Sequence, residues 1–94
     1  MVKHIVMWKF REGTQAQMRE FLDGLESLRG QIPQIVEMEI GVDWGAKGNY
    51  DAVLVSVFRT REDLEAYKSD PRHVAVSALC KSIRTDRVAV DYEF

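Results

Sequence analysis

Two side chains six positions apart, Tyr67 and His73, flank the Asp70-Pro71 step in the stretch YKSDPRHVAV, residues 67 to 76. A phenol that donates a hydrogen bond to a carbonyl oxygen, paired with an imidazole that takes the neighbouring α-proton, divides the work of enolate formation. With Asp70 as N-cap, His73 is the third residue of a helix, where the positive end of the helix dipole disfavours the imidazolium and leaves a neutral base near pH 7. The plainer alternative is a structural corner, in which Tyr67 and His73 fix a helix break by packing and hydrogen bonding. The chain's other histidine, His4, shares a strand face with Val6 and Trp8 and lines whatever pocket that face reaches; alternatively it is a core histidine satisfied by a carbonyl or water. Trp8, Phe58 and Tyr92 read first as packing aromatics. Cys80 falls one place after the apolar stripe of its helix and reads as a half-buried, inert thiol.

The elements that must position these residues follow from periodicity. VKHIVMWKF, residues 2 to 10, alternates with apolar groups on both faces. A helix follows, opened by a Thr14/Gln17 capping box, carrying Met18, Phe21, Leu22, Leu25, Leu28 and Ile32 at helical spacing and stopped by Gly30 and Pro33. Residues 35 to 44 alternate strictly, with Val36, Met38, Ile40, Val42 and Trp44 on one face. The glycine-bearing segment 45–49 turns the chain into a third strand, 50–58. Thr60 and Asp63 open a second helix that proline interrupts at Asp70-Pro71, and a new helix follows with Val76, Leu79 and Ile83 on its buried stripe. DRVAVDYEF, 86 to 94, alternates as a last strand.

The order β-α-β-β-α-β, with the second α broken, predicts an α+β, ferredoxin-like fold in which helices cover one face of a four-stranded antiparallel sheet. The bare face carries apolar residues, so a second copy packed on it by a two-fold axis gives a dimeric α/β barrel with an apolar interior. His4, Val6 and Trp8 are expected to point into that interior, and the sheets to meet through Val6, Trp8, Val88 or Val90.

Ninety-four residues, 46% of them hydrophobic, allow one domain spanning 1–94. Thirteen basic against 15 acidic residues give a net charge of −2 and no basic tract, which argues against nucleic acid or an anionic membrane as partner. The single cysteine and the lack of a signal-like or membrane-spanning run predict a cytoplasmic protein. No side-chain metal, dinucleotide, phosphate-loop or haem-attachment motif occurs, so no cofactor is expected.

Taken together, VKHIVMWKF, the run AVLVSVFRTREDLEAYKSDPRHVAV and the closing VAVDYEF resemble the stress-responsive dimeric A/B barrel family over nearly the whole chain. The resemblance implies the dimeric barrel. By similarity to the family's plant polyketide cyclase it also implies that Tyr67 and His73 occupy catalytic positions, with His4 matching the first-strand histidine. Where the family commonly has His before the proline, giving H-P-x-H, this chain has Asp70. Some relatives hold a magnesium-like ion on backbone carbonyls where the first helix ends; LRGQIPQI, 28 to 35, resembles that place, and Arg29, Ile32 and Ile35 are the matching positions.

Two functions are therefore expected, the first being binding of a small apolar or aromatic molecule in the dimer cavity. The alternative is a cyclase or isomerase that abstracts a proton next to a carbonyl. Haem or quinol oxygenation has no support in the sequence.

Overall fold

Val2–Phe10 forms the first strand, β1, of a computed structural model that describes all residues 1–94. Helix α1 follows at Gln15–Ser27, then β2 at Glu37–Val42, β3 at Ala52–Phe58, α2 at Arg61–Ser69, α3 at Pro71–Ile83 and β4 at Arg84–Glu93. The strands form one antiparallel sheet in the order β2-β3-β1-β4, so the chain adopts the expected ferredoxin-like βαββαβ plan with its second helical segment split.

Local chemistry accounts for most helix boundaries. Asp70 accepts the Arg72 N–H at 2.8 Å with Pro71 in the first turn, and Thr60 accepts the Asp63 N–H at 3.0 Å, so α3 and α2 are capped as their sequences require. The expected capping box at α1 does not form: Thr14 donates instead to the Arg11 carbonyl at 2.5 Å. A threonine hydroxyl can serve either the turn before a helix or the first turn within it, and here the turn wins. The helix run ends before Gly30, whose φ of 83° suits glycine.

The core lies between the sheet and the helices. Val6, Trp8, Phe21, Leu22, Leu25, Leu28, Ile32, Leu54, Phe58, Leu64, Tyr67 and Cys80 belong to one buried cluster. The face of β1 bearing His4, Val6 and Trp8 is therefore the helix-covered face of a single chain, not the interior between two sheets. β1 is apolar on both sides, so its period alone cannot say which side takes the helices. Register settles the matter: Val6 lies opposite Ala89, whereas Ile5 lies opposite Val90 and Met7 opposite Val88. Ile5, Met7, Val53, Val55, Val88 and Val90 thus share the open face, and Val6 and Trp8 leave the expected sheet-to-sheet contact. Cys80 is fully buried rather than half-buried, because the helix packs one residue further round than its Val76-Leu79-Ile83 stripe suggests. Trp44 lies beyond β2, in the segment that leads to β3, and is 95% exposed. No helix is long and apolar enough to cross a membrane.

Candidate functional site

Six residues at 100° per residue would place Tyr67 and His73 on well-separated sides of a continuous helix. The break at Asp70 removes that constraint. Tyr67, in the last turn of α2, and His73, in the first turn of α3, bring their ring centroids to 4.4 Å at 44°. On the other side Tyr67 packs on Phe58 at 5.1 Å and meets the edge of His4 at 6.4 Å. All three chemistry-bearing residues, with Val6 and Trp8, line one cavity of about 70 Å³ between the sheet and α3. The larger grooves of the molecule are surface features whose walls include none of these residues.

Each ring has a defined hydrogen-bonding state. The His73 Nδ1–H donates to the Lys68 carbonyl at 3.1 Å, so Nε2 carries the lone pair. The His4 Nδ1–H donates to Asp91 Oδ1 at 2.5 Å, leaving its Nε2 free as an acceptor as well. Burial pushes both imidazoles below the ordinary histidine value; the Asp91 carboxylate opposes that shift at His4 and the Lys68 carbonyl opposes it at His73. His4 therefore meets the Asp91 carboxyl near neutral pH as a neutral N–H donor rather than as an imidazolium. The Tyr67 hydroxyl is fully buried and has no hydrogen-bond partner. Burial drives its pKa far up, so it remains a proton donor at any physiological pH.

Asp91 is a site residue that sequence reasoning missed. It stands directly across from His4 in the β1–β4 register, and Lys68 approaches its second oxygen at 3.8 Å. The signal was available in the alternation of the last strand, which assigns Val88, Val90 and Tyr92 to one face and Arg87, Ala89 and Asp91 to the other; what periodicity could not supply was the pairing register. Lys68, Ser77, Cys80, Arg84 and Arg87 complete the unexpected part of the lining.

The carbonyls proposed for an ion lie apart from this cavity, in the turn after α1. The Ile32 carbonyl accepts the Ile35 N–H at 3.2 Å, and no backbone N–H reaches the Arg29 or Ile35 carbonyl. Neutral carbonyl oxygens suit a hard cation, but no carboxylate is shown joining them, and guanidinium groups occupy adjacent carbonyls: Arg29 on Met38 and Arg72 on Gln31.

Related proteins agree with the fold in detail. A crystallised protein of Bacteroides fragilis, described as dimeric, ferredoxin-like and of unknown function, matches with a TM-score of 0.91 and 31% identity, covering 99% of this chain and 95% of that one. The Arabidopsis thaliana stress-response A/B barrel domain-containing protein DABB1 is 29% identical over 98 residues; this chain spans 46% of its length. An uncharacterized protein of Streptomyces coelicolor is 29% identical over 101 residues and is covered end to end. The family profile described as Stress responsive A/B Barrel Domain matches residues 2–94, and the chain belongs to that family.

Proposed function

We propose that the chain binds a small carbonyl compound in the cavity beneath α3, with its carbonyl oxygen taking the hydrogen bond that Tyr67 offers. The observation that carries this reading is the unpartnered, fully buried Tyr67 hydroxyl on a cavity wall that also holds two imidazoles with free Nε2 atoms. A buried donor left unpaired costs about 1 to 3 kcal/mol, a penalty that an oxygen acceptor in the cavity removes. The size of the cavity narrows the ligand class. Benzene fills an apolar cavity of about 150 Å³, so about 70 Å³ takes a shorter, few-atom molecule, and an aromatic ligand enters only if side chains give way.

A second reading, proton abstraction next to the carbonyl, draws support from the Asp91–His4 pair. The carboxylate fixes the tautomer of His4 just as the Lys68 carbonyl fixes that of His73, so each imidazole presents a base nitrogen. Titration with 2-butanone, followed through the histidine resonances, separates the readings. Saturable shifts weakened about tenfold in Tyr67→Phe support binding, that factor matching one hydrogen bond of about 1.4 kcal/mol. Deuterium exchange at the carbon next to the carbonyl, faster than the buffer blank and lost in His73→Ala, adds catalysis. Absence of any saturable shift overturns both.

The chain's own open sheet face is proposed to be covered by a second copy, as the description of the Bacteroides relative as dimeric supports. Val88 and Val90, on the edge strand β4, stand 37% and 54% exposed on that face, beside Ile5 and Met7.

A further inference from the structure

The cavity wall is cationic in a protein whose overall charge is negative. Lys68, Arg84 and Arg87 line it and no Asp or Glu does, while the whole chain carries a net charge of −2. The acids nearby are matched to other bases. Asp91 takes His4 at 2.5 Å and Lys68 at 3.8 Å, and Asp70 takes Arg72 at 2.8 Å. Neither Arg84 nor Arg87 forms a salt bridge with any carboxylate of the chain. Arg87 lies opposite Trp8 in the sheet register, on the helix-covered side and away from the apolar face assigned to a second copy. Arg87 is itself exposed, so its charge stands at the solvent side of the cavity rather than at an interface.

Building on the carbonyl-binding reading, we propose that the ligand is a small keto carboxylate, its keto end in the cavity with the keto oxygen on Tyr67 and its carboxylate outside the enclosed space of about 70 Å³, at the cavity mouth between Arg84 and the exposed Arg87. A guanidinium presents paired N–H donors that match the two oxygens of a carboxylate, and such a charge-assisted bond is stronger than one between neutral groups. The electrostatics of the rings point the same way. Burial sets the direction at His4 and His73, downward, and at Tyr67, upward; the positive charge of Arg87 then pushes all three downward. A bound anion offsets that charge, so the His73 imidazole becomes a stronger base when the ligand arrives. The other groups facing His73 are His4, Tyr67, the Lys68 carbonyl and, across the helix start, Asp70, none of which changes charge on binding near pH 7.

The test compares acetoacetate with its neutral methyl ester on the intact protein, by calorimetry and by titration of the His73 ring resonances. Acetoacetate is expected to bind at least tenfold more tightly than methyl acetoacetate, with the advantage shrinking as salt rises and collapsing towards unity in the Arg84→Gln/Arg87→Gln double variant. The pKa of His73 is expected to rise with acetoacetate and to stay put with the ester. Equal affinity for acid and ester, with both weakened by Tyr67→Phe, overturns the anion preference and leaves carbonyl binding standing. Acetoacetate binding that ignores Tyr67→Phe overturns the carbonyl reading and this inference with it, as does the failure of both compounds to bind. Backbone amide spectra of the double variant that overlay on those of the parent keep a loss of affinity from being a loss of fold.

Discussion

At the scale of single residues, the buried hydroxyl of Tyr67 makes a prediction opposite to the usual effect of a core substitution. Removing an unpaired buried donor while keeping the ring takes away a desolvation cost, so Tyr67→Phe is expected to stabilise the ligand-free protein by roughly 1 kcal/mol, read as a higher urea midpoint at unchanged slope. A loss of stability would mean that the hydroxyl has a partner in solution. The two histidines set the pH dependence. Their folded pKa values lie below the ordinary value of about 6.5, so between those values and 6.5 the unfolded chain binds more protons than the folded one. Their contribution is fully present above pH 6.5 and is lost as pH falls through that window. Stability measured from pH 7.5 downward should therefore drop, and the drop should become shallower in His73→Gln.

At the scale of elements, the break between α2 and α3 is what brings Tyr67 and His73 together, and Asp70 is its keystone. Hydrogen bonds from the Arg72 side chain and backbone hold the Asp70 carboxyl down at about 2, from an ordinary value near 4. The cap is thus intact above pH 4 and is lost as pH falls from there towards 2. Asp70→Ala should lower the unfolding midpoint at neutral pH and flatten the acid limb of the stability profile. Packing of α1 on α3 supplies a second test at Gly24, where an added Cβ meets Val76 Cγ1 at 3.1 Å. A helical Gly→Ala change ordinarily gains about 1 kcal/mol, but valine in a helix has one strongly preferred rotamer and cannot swing aside. Gly24→Ala should therefore destabilise, and adding Val76→Ala should recover the loss by denaturation in a double-mutant cycle. The helix caps at Thr60 and Asp70, the order of elements along the chain and most of the core stripe were legible in the sequence, because caps and periodicity are local signals. The choice of covered face for β1, the fate of the Thr14 hydroxyl and the role of Asp91 were not, since each depends on strand pairing or on a competition between equally local partners. The site was half legible: Tyr67, His73 and His4 do gather with Val6 and Trp8, but within one chain, and the cationic wall beside them was invisible until β4 was in register.

At the scale of the whole molecule, the apolar open face predicts a homodimer. Light scattering should give about twice the chain mass of 10.8 kDa at micromolar concentration. Val90→Lys places an ammonium on that face in each copy, and leaving such a charge buried without a partner costs roughly 3 to 5 kcal/mol. The variant should run as a folded monomer with an unchanged far-ultraviolet spectrum; a dimer that persists would move the interface elsewhere. The pairing of His4 with Asp91 spans 87 positions of sequence, and Arg84 and Arg87 reach the cavity from the same late strand. Closing a loop of that length is slow compared with forming α1 or the β2–β3 hairpin, so β4 is expected to dock late in folding. Until it docks, His4 has no carboxylate and the cavity has no cationic wall. Recovery of ligand binding during refolding should therefore trail the recovery of helical signal, which makes the ligand a reporter of the final step of assembly.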